Sequence, residues 1–134
     1  MRFAPIAIAA VSLAACALST ELAATRAASA DGPARCFRTD DIRNFRAADT
    51  TDLYIRTLRD GVYQIRTSGG CWDMDSALAL AVTPALGGSS NICVGDPVNV
   101  LVPGGAPGRG VCRGTVSKSL TAEEVAALPS RARP

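Results

Sequence analysis

Asp73 and Asp75 stand at i and i+2, directly after Cys71-Trp72. Two carboxylates so spaced could share a divalent cation with Asp96 as a third ligand. They could also work a glycosidic bond as acid and base, which needs about 5–9.5 Å between them across a cleft. Calcium takes 6–8 oxygens, and no EF-hand pattern surrounds this pair. The plainer expectation is a turn after a disulfide, whose aspartates solvate or cap the next element. Other nucleophiles lack an activator. The sequence contains no histidine, which removes the usual general base and the commonest metal ligand. Ser68, Ser89 and Ser90 therefore have no base, and no G-x-S-x-G is present. Lys118, the single lysine, lies between Ser117 and Ser119. Strand neighbours point to opposite faces, so a Ser-Lys dyad is not expected. Gly87-Gly88-Ser89-Ser90 and Gly104-Gly105 lack the G-x-x-x-x-G-K-[ST] pattern and a following helix, and read as loops. Trp72, the single tryptophan, is expected in the core, as tryptophans are strongly buried on average. No catalytic residue, metal site or cofactor is expected.

The chain has 5 cysteines: Cys16, Cys36, Cys71, Cys93 and Cys112. The last four are separated by 34, 21 and 18 residues. Structural zinc sites usually show close C-x₂₋₄-C pairs. No C-x-x-C occurs, so a thioredoxin-like redox motif is absent too. In an oxidising compartment four such cysteines read as two disulfides, with three possible pairings. Cys71–Cys93 and Cys36–Cys112 are expected, the second because it would tie the ends of the domain together and close a long loop.

Cys16 is the odd one. Met1-Arg2 precedes an apolar block ending near Leu18, shorter than the ~20 residues a spanning helix needs. One positive charge and a short apolar block make a secretory signal. Ala28-Ser29-Ala30 offers an ordinary cleavage site, but it would leave a long charged region containing Glu21 and Arg26 behind the block. Leu13-Ala14-Ala15-Cys16 resembles the lipobox of bacterial lipoproteins and is favoured. That resemblance implies diacylglyceryl transfer to the Cys16 thiol, cleavage before it and acylation of the new amino group. With Ala17 rather than aspartate after the cysteine, it implies an outer-membrane lipoprotein facing the periplasm. The expected organisation is a signal peptide over 1–15, lipidated Cys16 with a flexible tether over 16–35, one β-rich domain over 36–129, and a frayed tail over 130–134.

Net charge is +2, and +1 once Arg2 leaves with the signal. The arginines between Arg35 and Arg66 are interleaved with Asp40, Asp41, Asp49, Asp52 and Asp60, an ordinary solvated face rather than a nucleic-acid footprint. Around Asp60-Gly61, Leu53/Ile55 and Tyr63/Ile65 alternate with polar neighbours as a hairpin. A two-residue turn would pair Ile55 with Arg66 and scramble the faces. A three-residue loop, Arg59-Asp60-Gly61 with Gly61 left-handed, pairs Ile55 with Ile65 and Leu53 with Thr67. Strands are also expected at 42–45, 77–83, 97–103 and 111–120; helix competes at 77–83. Thr121 and Glu124 form a capping box for a short helix that Pro129 ends. The expected fold is mainly β: a small antiparallel sheet or partly closed barrel of about five strands with a short C-terminal helix, stapled by disulfides.

Four stretches, "IRNFRAAD", "LYIRT…VYQIRTSGGCWDMD", "GGSSNICVGDPVNV" and "GVCRGTVSKSLTAEEVAALP", resemble a family of small four-cysteine exported proteins of unknown function from Gram-negative bacteria. The resemblance implies an envelope domain and supplies no activity. The expected function is a non-catalytic lipoprotein, held to the membrane through acylated Cys16, whose domain binds an envelope protein or cell-wall component. A hydrolase using Asp73 and Asp75, favoured by a carboxylate pair in one concavity, is the alternative. So is an enzyme inhibitor inserting the rigid loop 103–110.

Overall fold

The computed structural model describes residues 35–59, 61–104 and 110–134. The expected signal peptide, Cys16 and nearly all of the expected tether lie outside these residues.

Among the described residues eight strands form: β1 (Cys36–Arg38), β2 (Ile42–Ala47), β3 (Asp52–Thr57), β4 (Val62–Thr67), β5 (Ala81–Pro84), β6 (Asn91–Cys93), β7 (Pro97–Leu101) and β8 (Val111–Leu120). One helix, α1 (Ala122–Ala127), follows, and short 3₁₀ turns cover Thr39–Asp41 and Ser130–Ala132. The main sheet has six antiparallel strands in the order β2-β3-β4-β8-β7-β5, and β1 and β6 form a separate pair. The fold is mainly β, antiparallel and disulfide-stapled, with more strands than the five expected. β1 and β6 span three residues each, too short to show any period. Strand 77–83 is displaced to Ala81–Pro84.

One face of the sheet carries the core. Leu53, Ile55, Ile65, Val98, Val100 and Val116 are fully buried there, each contributing about 1.5–3 kcal/mol. Phe37 of β1 and Ile92 of β6 close over it. The Phe37 ring sits 4.6 Å from that of Tyr63, whose hydroxyl donates to the Cys36 carbonyl at 3.0 Å.

The β3–β4 hairpin keeps the expected faces in a different register. Ile55 pairs with Tyr63 and Leu53 with Ile65. The Thr57 N–H donates to the Gly61 carbonyl at 2.9 Å, so the loop closes one residue earlier on each side than expected. Gly61 is not left-handed. A Cβ there would lie 3.1 Å from the Tyr63 ring and 3.2 Å from the Thr57 hydroxyl, so the glycine allows close approach. A slip of two residues preserves every side-chain direction, which is why the apolar face was readable and the register was not.

β8 changes face partway. Gln64 pairs with Lys118 but Ile65 with Val116, leaving Ser117 as a bulge. Before it, Cys112, Gly114 and Val116 point to the core; after it, Leu120 joins Val62 and Gln64 on the opposite face, and all three are buried. The chain after β8 folds back over that second face. Arg56, beside Val62, donates through Nε to the Pro134 carbonyl at 2.8 Å, and Ala132 is fully buried. Residues 130–134 are therefore packed, not frayed.

The disulfides are Cys36–Cys93 and Cys71–Cys112, so the expected pairing Cys71–Cys93 and Cys36–Cys112 is wrong. Cys36 and Cys93 face each other across the β1–β6 ladder. β4 lies beside β8 with Thr67 opposite Gly114, which brings Cys71, just beyond β4, to Cys112. Neither strand neighbour was visible in the sequence.

Candidate functional site

The turn after Cys71 gathers the polar residues singled out above. The Cys71 N–H donates to the Thr50 carbonyl at 2.6 Å, and Cys71 is also fixed by its disulfide. Met74 is the second inward anchor, at 1 % exposure. The Met74 N–H reaches back to the Cys71 carbonyl at 3.4 Å, and the Ser76 hydroxyl donates to the Asp73 carbonyl at 3.3 Å. With inward positions three residues apart, Trp72, Asp73 and Asp75 are turned outward. Trp72 is 65 % exposed, so its expected place in the core is overturned. Asp73 adopts φ of 67°, a left-handed conformation that aspartate tolerates better than most side chains.

Beside this turn is a shallow pocket of about 280 Å³. Phe45, Ala47, Met74 and Ala77 give it an apolar lining, and Arg46, Asp75 and Arg131 add charge. Asp73 is not part of it. The two aspartates are thus divided between a concavity and open surface, and do not face each other across a cleft. Nearby, Asp49 Oδ1 accepts from the Thr51 hydroxyl and N–H, both at 2.7 Å, and from the Asp52 N–H at 2.9 Å. These bonds hold its carboxyl below the usual value, the Thr51 hydroxyl contributing most and Arg131 adding a weaker attraction.

The remaining candidates have structural partners. Asp96 Oδ2 accepts from the Cys93 N–H at 2.8 Å, closing the turn between β6 and β7. Among the described residues no group of three His, Cys, Asp or Glu side chains could hold a metal. Lys118 Nζ pairs with Glu124 Oε1 at 2.9 Å, while the Ser117 hydroxyl donates to the Gln64 carbonyl at 3.1 Å. Lys118 and Ser117 are both exposed because of the bulge, but they are engaged separately. Glu124 also completes the capping box with Thr121, as its spacing predicts. The Ser89 hydroxyl accepts from the Asn91 N–H at 3.1 Å. Gly87 and Gly88 fall in the connection between β5 and β6, and Gly104 in a turn beyond β7; Gly105 lies outside the described residues. Residues 105–109 of the candidate inhibitory loop lie outside the described residues. Burial raises the pKa values of the Tyr54 and Tyr63 hydroxyls. Leu78 and Leu86, on either side of β5, are exposed and lie in a stretch without charged residues.

These features define a small two-disulfide antiparallel β domain with exposed polar turns. The chain belongs to a family of unknown function, DUF6491, which matches it over residues 1–127. No curated protein and no solved structure matches it.

Proposed function

We propose that this chain is a lipid-anchored envelope protein whose domain binds an outer-membrane, periplasmic or cell-wall partner and catalyses no reaction. The observation that carries the proposal is the cysteine count. The four domain cysteines use one another, which leaves Cys16 as the odd thiol behind Leu13-Ala14-Ala15 at the end of an apolar block. Two disulfides suit an oxidising, exported compartment. Acyl chains at ~0.8 kcal/mol per buried CH₂ would give a stable anchor when two or more are attached. The separation of Asp73 from the pocket that holds Asp75 favours binding over the hydrolase alternative. Intact-mass analysis of the mature N-terminus tests the anchor: acylated Cys16 supports it, and an unmodified N-terminus at Asp31 overturns it. Capture of a partner by the membrane-anchored chain then tests the binding role.

A further inference from the structure

Charge is unevenly spread over the six-stranded sheet. β2, at one edge, carries exposed Arg43 and Arg46, and Arg131 shares a pocket with Arg46. β5, at the other edge, lies within residues 76–95, which include no charged side chain. Charged residues make up 19 % of the chain, so a run of that length without one is a departure from the rest of the sequence.

Exposed apolar side chains gather on the same half of the sheet. Leu78 is 100 % exposed and Leu86 76 % exposed, in the bends before and after β5. Ala81 pairs with Leu101 and Leu101 with Val111, so these three form a row on the face away from the core. Val111 is 59 % exposed. Its neighbour Cys112 is bridged to Cys71 with 5.5 Å between their Cα atoms, which sets Trp72 beside the same row. Among the described residues, four of the five exposed large apolar side chains thus lie on or beside the β8-β7-β5 half. The fifth, Leu58, is in the β3–β4 hairpin. Apolar groups concentrated on one side of a small domain mark contact with a partner or a membrane.

We propose that this half of the domain rests on the surface of a lipid bilayer, a reading that builds on the anchor at Cys16. Leu78 and Leu86 dip below the headgroups. Trp72 sits at headgroup level, where its ring meets apolar chains and its N–H stays wet. The reach is sufficient: residues 17–35 span at most about 65 Å, and a six-stranded sheet is about 24 Å across. A short link holds an anchored domain at an effective concentration on the order of millimolar, so a few weakly inserting side chains suffice. The bordering charges select the lipid. Asp73 and Asp75 adjoin Trp72, Asp96 lines a concavity with Leu86, and Arg113 lies one strand from Asn99. With three carboxylates to one guanidinium, a zwitterionic surface fits and an anionic one does not; an anionic surface would draw the arginines of β2 instead.

Trp72 is the single tryptophan, so its fluorescence reports on this surface alone. The mature chain is reconstituted in vesicles of phosphatidylcholine and phosphatidylethanolamine, and its intact mass is measured. Trp72 should be shielded from aqueous acrylamide and quenched when the lipid chains carry bromine. Leu78→Glu with Leu86→Glu should reverse both effects, and Leu58→Glu should reverse neither. All three leucines are exposed, so thermal melts should show unchanged folding. An acylated chain whose Trp72 stays open to acrylamide overturns the proposal and leaves the anchor standing. So does an acylated chain in which the paired leucine changes have no effect. Shielding from acrylamide without quenching by brominated lipid marks a protein contact and overturns the proposal as well. A mature chain without acyl groups overturns the anchor instead. Titrating that chain with the same vesicles then decides the proposal: quenching by brominated lipid that the leucine changes abolish supports it, and none overturns it.

Discussion

Gly114 shows how a single atom is constrained by the sheet. A Cβ there would sit 2.9 Å from the Arg66 carbonyl oxygen and 3.1 Å from Ile65 Cγ2. The first neighbour is backbone and cannot rotate away, so β4 and β8 would have to part. Gly114→Ala should cost about 1–3 kcal/mol, read as a lower denaturant midpoint; an unchanged midpoint would show that the strands yield freely. Asp49 tests a different force. Three hydrogen bonds to one carboxylate oxygen lower its folded pKa from 3.8. A depressed carboxylate stabilises the fold above its unfolded pKa and loses that contribution as pH falls through the folded value. The stability gap between the native chain and Asp49→Ala should therefore be constant near neutral pH and shrink below about 3.8. A gap independent of pH would assign the effect to packing. Asp73 and Asp75, facing different surroundings, should both tolerate change to Asn. Loss of the biological role in that double variant, with folding and export normal, would return attention to an acid-dependent chemistry at this turn.

At the scale of elements, the segment after β8 is the informative one. Thr121 and Glu124 announce α1 because a capping box is written in adjacent residues. Nothing local announces the turn Ser130–Ala132, since its burial depends on a surface made elsewhere. That surface exists because the Ser117 bulge sends Leu120 to the same face as Val62. Arg133 then donates to the carbonyls of Ala126 and Leu128 at 2.9 and 2.8 Å, finishing the end of α1. Ala132→Glu would place a charge where there is no solvent, and should lower stability by several kcal/mol. Arg131→Glu, at an exposed neighbour, should change it far less; equal effects would mean that the turn is loosely held. The same contrast explains what was legible overall. The alternation of Leu53, Ile55, Tyr63 and Ile65 records a buried face within one hairpin. The short strands β1 and β6, the bulge and the outward Trp72 are set by partners distant in sequence. The paired aspartates were visible as residue types, but their separation depends on Met74 being the inward member of the turn.

Over the whole domain, the two disulfides do unequal jobs. Their sequence separations are 57 for Cys36–Cys93 and 41 for Cys71–Cys112. In the chain-entropy view such loops differ little, each bridge contributing about 4 kcal/mol. Burial separates them. Cys71 and Cys112 are 0 % and 8 % exposed and belong to the core, whereas Cys36 is exposed and Cys93 half-buried. Thiol–disulfide exchange requires a thiolate to reach a sulfur. Cys36–Cys93 should thus open first under mild reductant, freeing the pairing of β1 with β6 while the six-stranded sheet persists. Cys71–Cys112 should open only when the domain unfolds. Stepwise reduction with alkylation and peptide mapping checks this: early labelling at Cys36 and Cys93 alone is expected. Replacing each pair by alanine should give the same ranking, with Cys71/Cys112 costing more because their loss also leaves a cavity in the core. Simultaneous labelling of all four cysteines would mean that the domain opens as one cooperative unit and that the β1–β6 layer is as essential to it as the turn at Met74.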